Sequence, residues 1–409
     1  MALVVQKYGG SSVASADKIR NVASRVSRRK DEGNDVVVVV SAMGKTTDEL
    51  IRLARQMTDQ PDEREMDVLL STGETVSSTL MAMALKSSGH PAVSLSGLQA
   101  GIQTDSTHSK ARITGVEPSR IQDELSRGNI VIVAGFQGFS PSMDTTTLGR
   151  GGSDTTAVAL AVGLEADVCE IYTDVEGVLT ADPRIVPDAR KLTTIGYEEM
   201  LELASYGAKV MAARAVELGQ VHSMPILVAS SSTEAPGTLI CNEEASMELR
   251  RKVSGIAHDT NVAKITIVGV PDHPGIAKDI FEPLARAAVS VDTIVQNVGQ
   301  GAVTDITFTV SRTDLVKALS IVEPVSKQIG ARSVSSDETL SKVSIVGTGM
   351  QNTPGYAAKM FRALADAGIN IELISTSEIR ITCIISEDGV VDAVRSLHKE
   401  FEVEFEQPA

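Results

Sequence analysis

One pattern occurs twice in the C-terminal part of the chain, and this duplication limits the available folds more than any other feature. Lys264-Ile-Thr-Ile-Val-Gly269 returns 78 residues later as Lys342-Val-Ser-Ile-Val-Gly347, and Pro274-Gly275 returns as Pro354-Gly355 after a two-residue insertion. Ile280-Phe-Glu-Pro-Leu-Ala285 then matches Met360-Phe-Arg-Ala-Leu-Ala365, and Val291-Asp-Thr-Ile294 matches Ile371-Glu-Leu-Ile374. A repeat of about 70 residues is one supersecondary module used twice. Each copy reads strand, Pro-Gly turn, amphipathic helix, two strands, helix. In the second copy these fall at 343–346, 356–367, 371–375, 379–385 and 391–401, the order of a ferredoxin-like βαββαβ fold. Two copies are expected to pair their sheets or helices in one regulatory body.

Upstream of the repeats, short apolar runs at 3–6, 36–40, 92–95, 130–134 and 170–173 alternate with stretches of helical period. Val36-Val-Val-Val-Val40 has no polar alternation, as expected of a strand buried on both faces of a mainly parallel sheet. The first 240 residues therefore read as an α/β sandwich. The chain turns small and polar at 230–235 and heavily charged at 242–252, which fits an exposed connection. The expected division is an α/β domain at 1–240, a linker at 241–262, and two small domains at 263–335 and 336–409.

Composition narrows the function. Among 409 residues, 38 basic side chains face 53 acidic ones, and the net charge of −15 repels nucleic acid and acidic membranes from most of the surface. A small anion held by a few local cations is still compatible. Aromatics are only 3%, with no Trp, which argues against stacking platforms for bases or sugars. Cys169, Cys241 and Cys383 lack paired spacing and the six histidines form no metal-ligand pairs, so neither disulfides nor a bound metal is expected. The N-terminus lacks an export signal and the apolar runs fall short of a membrane span, so the expectation is a cytoplasmic protein.

In a doubly wound sheet the strand ends carry the chemistry, and here they carry the unusual residues. Lys7-Tyr-Gly-Gly-Ser-Ser12 follows a strand and precedes a helix near Ser15. Its glycines let backbone approach a phosphate and Lys7 adds a charge, although a plain turn with a surface lysine reads equally well. Ser41-Ala-Met-Gly-Lys-Thr-Thr47 lacks the first glycine of a P-loop, since Val39 stands there; its hydroxyls suit a polar substrate or a helix cap. Ser71-Thr-Gly-Glu74 is expected to open a helix with Glu74 in the first turn, for structural or functional reasons. Thr147-Leu-Gly-Arg-Gly-Gly-Ser-Asp-Thr-Thr-Ala157 is the most informative stretch. There Arg150 can clamp a carboxylate, Ser153 can cap the helical run 156–163, and Asp154 can position an ammonium or a metal. Thr173-Asp-Val-Glu-Gly-Val-Leu-Thr-Ala-Asp-Pro-Arg184 leaves a strand into a charged loop against which a nucleotide could sit, and Lys209 lies among small residues. Together these ends predict one cleft.

In this order the motifs closely resemble those of aspartate kinases, and Asn370-Ile-Glu-Leu-Ile-Ser-Thr-Ser-Glu-Ile-Arg380 resembles the tail of their paired ACT domains. The resemblance spans essentially the whole chain. It implies a three-layer amino-acid-kinase domain followed by two ACT domains, and transfer of the ATP γ-phosphate to the side-chain carboxylate of L-aspartate. This is the first step toward lysine, threonine and methionine. It further implies that Lys7 and Lys209 stabilise the transferring phosphoryl group and that Asp154 holds the lysines in register. Gly9, Gly10 and Ser41 would line the phosphates, with Mg²⁺ carried on the nucleotide. Arg150 would clamp the substrate α-carboxylate, Glu74 would accept from its ammonium, and Thr47 and Ser153 would complete the pocket. Thr173, Asp174 and Arg184 would face ATP, with Leu179 where some relatives have an aromatic.

In the repeats the resemblance implies an amino-acid effector, lysine or threonine or both. It would bind where Asp272, Pro274, Gly275 and Ile276, and Asn352, Pro354 and Gly355, begin their helices, with Asp292, Gln296, Asn370 and Ser377 as neighbours. Residues 253–258 are expected to pair with the second copy's sheet. A homo-oligomer formed through the ACT domains is implied, as is a separately made regulatory subunit starting near Met247. Two alternatives stay open: a relative acting on glutamate or acetylglutamate, and an amino-acid sensor whose kinase half is inactive.

Overall fold

The computed structural model describes residues 2–208, 210–242, 253–297, 303–350 and 353–402. It divides into two compact units: residues 1–179, 190–205 and 209–248 form the first, and residues 180–189, 206–208 and 249–409 the second.

In the first unit, β1 (Leu3–Tyr8), α1 (Ala16–Asp31), β2 (Asp35–Val40), α2 (Thr46–Met57), α3 (Glu63–Ser87) and β3 (Ala92–Leu95) come in order. The short strands β4 (Ile102–Thr104) and β5 (Ile113–Val116), helix α4 (Ser119–Ser126), β6 (Ile130–Ala134), β7 (Gln137–Phe139) and β8 (Thr145–Thr147) follow. The unit then runs through α5 (Gly152–Gly163), β9 (Val168–Thr173), β10 (Thr194–Gly196), α6 (Tyr197–Ser205), α7 (Ala213–His222), β11 (Ile226–Ser230) and β12 (Thr238–Cys241). Eight strands make the main sheet in the order β10-β12-β11-β9-β1-β2-β6-β3, parallel except between β11 and β12. A four-stranded sheet, β5-β4-β7-β8, lies beside it.

All five valines of β2 are fully buried, as a strand covered on both faces requires. Val36, Val38 and Val40 pack with Ile19, Val22, Val26, Met81 and Leu85 from α1 and α3, and the alternating side chains face the opposite layer, where α5 lies. By length and composition alone α3 is long and apolar enough to cross a membrane, but it carries Asp67 and Glu74 buried inside the unit. It also begins earlier than the motif suggests. Asp62 caps it by accepting from the Glu65 amide, so Glu74 lies in the helix interior and not in its first turn. Gly73 is tolerated there because a Cβ would come 2.9 Å from the Ala42 side chain. Likewise α5 begins at Gly152 behind a left-handed Gly151, so Ser153 sits inside the helix and does not cap it. Ser15 caps α1 as its position suggests, whereas α2 starts behind Lys45 with no side-chain cap.

In the second unit, β13 (Gly255–Pro271), α8 (Ile276–Arg286), β14 (Val291–Gln296), β15 (Val303–Val310), α9 (Leu315–Gln328) and β16 (Ser333–Val346) come first. Helix α10 (Tyr356–Asp366), strands β17 (Leu373–Thr376) and β18 (Arg380–Ser386), and helix α11 (Val390–Glu400) complete it. One six-stranded sheet, β14-β15-β13-β16-β18-β17, serves both copies because β13 and β16 are shared. The later part of β13 opens the first copy and the early part of β16 closes it. The later part of β16 opens the second copy, whose closing strand comes from upstream of the repeats: Gly255 pairs with Val346 and His258 with Val343, antiparallel. Residues 255–262, assigned to the linker from composition, are therefore strand. Each copy has its own core, one around Phe308, Ile280 and Leu284, the other around Met360, Leu364 and Phe401.

Two short segments belong to this unit although their sequence neighbours lie in the first. In 180–189, the Thr180 hydroxyl and His398 Nε2 are hydrogen-bonded at 3.0 Å, and Ala181 and Val186 join the core around Phe401. In 206–208, Tyr206 donates to Asp292 Oδ1 at 3.1 Å while the Arg380 guanidinium lies 3.9 Å from its ring centroid.

Candidate active site

Parallel register gathers the unusual strand ends at the carboxyl edge of the main sheet. Tyr8 lies level with Val40 on one side and Tyr172 on the other, and Val40 is level with Ala134. The segments leaving these strands are then tied together. The Gly9 amide donates to Tyr172 O at 3.2 Å, Ser41 N to Tyr8 O at 3.1 Å, and Gly44 N to Gly10 O at 3.0 Å. Gly135 N reaches Val40 O at 3.0 Å and Ser231 N reaches Thr173 O at 2.9 Å. A Cβ on Gly10 would stand 2.7 Å from Ala42 O, so the approach of the β1 and β2 ends requires glycine.

Lys7 is the last side chain but one of β1, and only 9% of it is exposed. Its ammonium lies 2.5 Å from Asp154 Oδ1, a carboxylate in the first turn of α5 where the helix dipole favours it. The other Asp154 oxygen accepts from the Ala212 amide at 3.2 Å, three residues beyond Lys209. Lys209 itself lies outside the described residues, as do Asn352 and Met247.

Glu74 reaches the same edge from α3. Its Oε1 accepts from the Ala42 amide at 3.0 Å, while Oε2 is buried with no hydrogen-bond partner among the described residues. Burial pushes its carboxyl up to about 7, against the lowering effect of the Ala42 hydrogen bond. A buried, half-satisfied carboxylate is stabilised by a cation that completes it, and a substrate ammonium has the right chemistry. Ser41 and Thr47 are partly buried, and Ser153 is buried with its hydroxyl 3.0 Å from where a Cβ on Gly135 would lie.

Arg150 is exposed between Gly149 and Gly151, both at positive φ, and pairs with no acid among the described residues. Thr173 donates to its neighbour Asp174 at 3.1 Å, and Leu179 is the last residue of the first unit before residues 180–189. Arg184 falls in the second unit and pairs with Asp182 through Nη2 at 2.6 Å. In the repeats Gly275 and Gly355 precede their helices at φ 100° and 110°, a left-handed geometry that favours glycine. Asp272, Pro274 and Gly275 are exposed and Ile276 is buried. Asp292 is engaged by Lys342 and Tyr206, Asn370 donates weakly to Glu372 at 3.4 Å, and the Ser377 amide donates to Arg380 O at 2.8 Å. Gln296 and Pro354 complete that set at the end of β14 and before α10.

Gly135-Phe-Gln-Gly138, a further strand end that the sequence marks for the cleft, lies at this edge, while Asp67 and Arg214 escaped the sequence reading. Phe136 adopts a left-handed φ of 70°, with its amide donating to Thr156 Oγ1 at 3.1 Å. Asp67 and Arg214 flank the loop that bears Arg150. The only hint in the sequence was that Asp67 and Glu74 are seven residues apart, and so share a helix face.

Residues 2–230 match the model of the amino acid kinase family, and residues 265–324 and 343–401 match that of the ACT domain. The class defined by fold and site is thus a phosphotransferase with two appended ACT modules. The chain is 52% identical over 405 residues to an aspartokinase of Mycolicibacterium smegmatis, covering 98% of this chain and 96% of that one. It is 42% identical to the solved aspartate kinase of Synechocystis, covering 100% of this chain and 71% of that one at a TM-score of 0.55. E. coli aspartokinase III, solved with aspartate and ADP, superposes with a TM-score of 0.81 at 24% identity, covering 97% of this chain and 99% of that one. The chain belongs to the aspartate kinases of the amino acid kinase family.

Proposed function

We propose that the chain phosphorylates the side-chain carboxylate of L-aspartate with ATP, giving 4-phospho-L-aspartate and ADP. The observation that carries the reading is Glu74, a buried carboxylate on the same sheet edge as Lys7 with one oxygen unsatisfied among the described residues. A carboxylate nucleophile is already ionised at neutral pH, so an aspartate oxygen attacks the γ-phosphorus without a general base and the bond to the β-phosphate oxygen breaks. The protein's task is to bring two anions together. Lys7, with Lys209, offsets charge on the transferring group, and Asp154 orients them. Gly9, Gly10 and Ser41 border the phosphates, and Thr173, Asp174 and Leu179 the rest of the nucleotide. Arg150 takes the substrate α-carboxylate and Glu74 its ammonium, with Thr47 and Ser153 beside them. Among the described residues no three His, Cys, Asp or Glu side chains are grouped to hold a metal. Mg²⁺ is assigned to the nucleotide phosphates it accompanies. Coupled ADP release over a panel of acidic amino acids tests the reading: turnover is expected with aspartate, and turnover with glutamate but not aspartate would overturn it.

The same proposal makes the chain feedback-regulated, the first step of lysine, threonine and methionine synthesis in the cytoplasm. The effector carboxylate is assigned to the amides at Gly275 and Gly355, where α8 and α10 begin. Support comes from the two ACT modules, residues 265–324 and 343–401. Oligomerisation through the ACT modules, and a regulatory chain begun near Met247, form part of the reading. Lysine and threonine, titrated singly and together, are expected to inhibit, and indifference to every amino acid of the pathway would refute the regulatory role.

A further inference from the structure

The Asp67 carboxylate is completely buried in α3 and is surrounded by polar groups from the loop at His108 and Ser109 and from the end of β8. Ser109 N lies 3.1 Å from each of its oxygens, His108 Nδ1 lies 2.7 Å from Oδ2, and the Thr147 hydroxyl donates to Oδ1. Thr147 ends β8, three residues before Arg150. The backbone just beyond it is equally constrained. Leu148 N donates to Phe136 O at 2.9 Å, and Ala111 N donates to Thr147 O at 2.9 Å. The Arg214 guanidinium spans the carbonyls of Leu148, at 2.7 Å, and Ala111, at 3.0 Å. Arg150 then follows between two glycines at positive φ, φ 76° and 70°, where the chain has little stiffness of its own. Its aim is inherited from the fixed foot at Thr147 and Leu148.

Glu74 stands on the same helix as Asp67, seven residues and about 10 Å further along. We propose that Asp67 is a positioning residue for substrate recognition. It ties the loop carrying the α-carboxylate clamp to the helix carrying the ammonium acceptor, so that α3 sets the distance between them. Arg214 secures the same foot from α7. The inference rests on the assignment of Arg150 and Glu74 to the substrate made above.

The test compares Asp67→Asn, Thr147→Val and Arg150→Ala in the full-length protein by steady-state kinetics. Asp67→Asn is expected to raise KM for aspartate about tenfold while KM for ATP stays within twofold, because misplacement touches one substrate only. Thr147→Val, which leaves Asp67 its other donors, is expected to move KM for aspartate in the same direction, and it carries the test if Asp67→Asn does not fold. Because Asp67 acts through Arg150, the double variant Thr147→Val/Arg150→Ala is expected to be no worse for aspartate than Arg150→Ala alone. Additive losses, or equal changes in both KM values, would reduce Asp67 to a structural role and overturn the inference. An Arg150→Ala protein with unchanged KM for aspartate would instead remove the assignment on which the inference stands.

Discussion

Lys7→Ala is expected to lower kcat about a thousandfold, the usual loss when a preorganised charge at a transferring group is removed. The ammonium is nine-tenths buried at the carboxyl edge of the sheet, so it acts where water screens it little. The substitution also leaves Asp154 buried without the cation 2.5 Å away, and an orphaned carboxylate of this kind costs about 3–5 kcal/mol of stability. The two effects are separable. Lys7→Met/Asp154→Asn removes both charges and is expected to recover most of the lost thermal stability but none of the turnover. Unchanged turnover in a folded Lys7→Ala protein, read by coupled ADP release, would show that the phosphoryl group is stabilised elsewhere.

Glu74→Gln is expected to raise KM for aspartate on the order of a hundredfold at pH 8 while making the ligand-free protein more stable. The sign follows from burial. With its carboxyl held near 7, Glu74 favours the folded state while protonated, and that contribution is lost as pH rises from its ordinary value through 7. Above pH 7 the ionised group costs the free protein about 3 kcal/mol, which glutamine does not. The Tm advantage of Glu74→Gln is therefore expected at pH 8 and absent at pH 4. Since the substrate ammonium needs the ionised form, kcat/KM for aspartate in the natural protein should fall below about pH 7. A variant that retained this inflection would place the titrating group elsewhere.

These two residues differ in how openly the sequence announced them. Lys7 follows an apolar strand and precedes two glycines, so its place at a strand end was legible. Glu74 was found through its motif but put in the wrong part of its helix. The start signal, Asp62 followed three residues later by Glu65, lies well upstream, and Ser71-Thr-Gly-Glu74 looks like a cap only until Asp62 has taken that role. Asp67 was marked only by its seven-residue spacing from Glu74. A lone acid on an amphipathic helix reads as solvated, and nothing local indicates that Ser109, His108 and Thr147 will converge on it. Arg184 shows the converse: adjacent in sequence to nucleotide-facing candidates, it belongs to the second unit, because Ala181 and Val186 beside it pack into the core around Phe401.

What the sequence determined by itself is what local pattern encodes. The valine run implied a doubly covered parallel sheet, and the repeat implied two modules that each open with a strand, a Pro-Gly turn and a helix. Both rest on side-chain period or backbone sterics within a few residues. Tertiary structure alone decided the non-local pairings. It took 180–189 and 206–208 into the unit of the repeats and set Asp67 beneath the Arg150 loop, whereas the pairing of 255–258 with the second module's sheet is the one that the family resemblance implied. Buried polar groups and strand edges must find partners wherever in the chain these occur, and that demand has no period along the sequence.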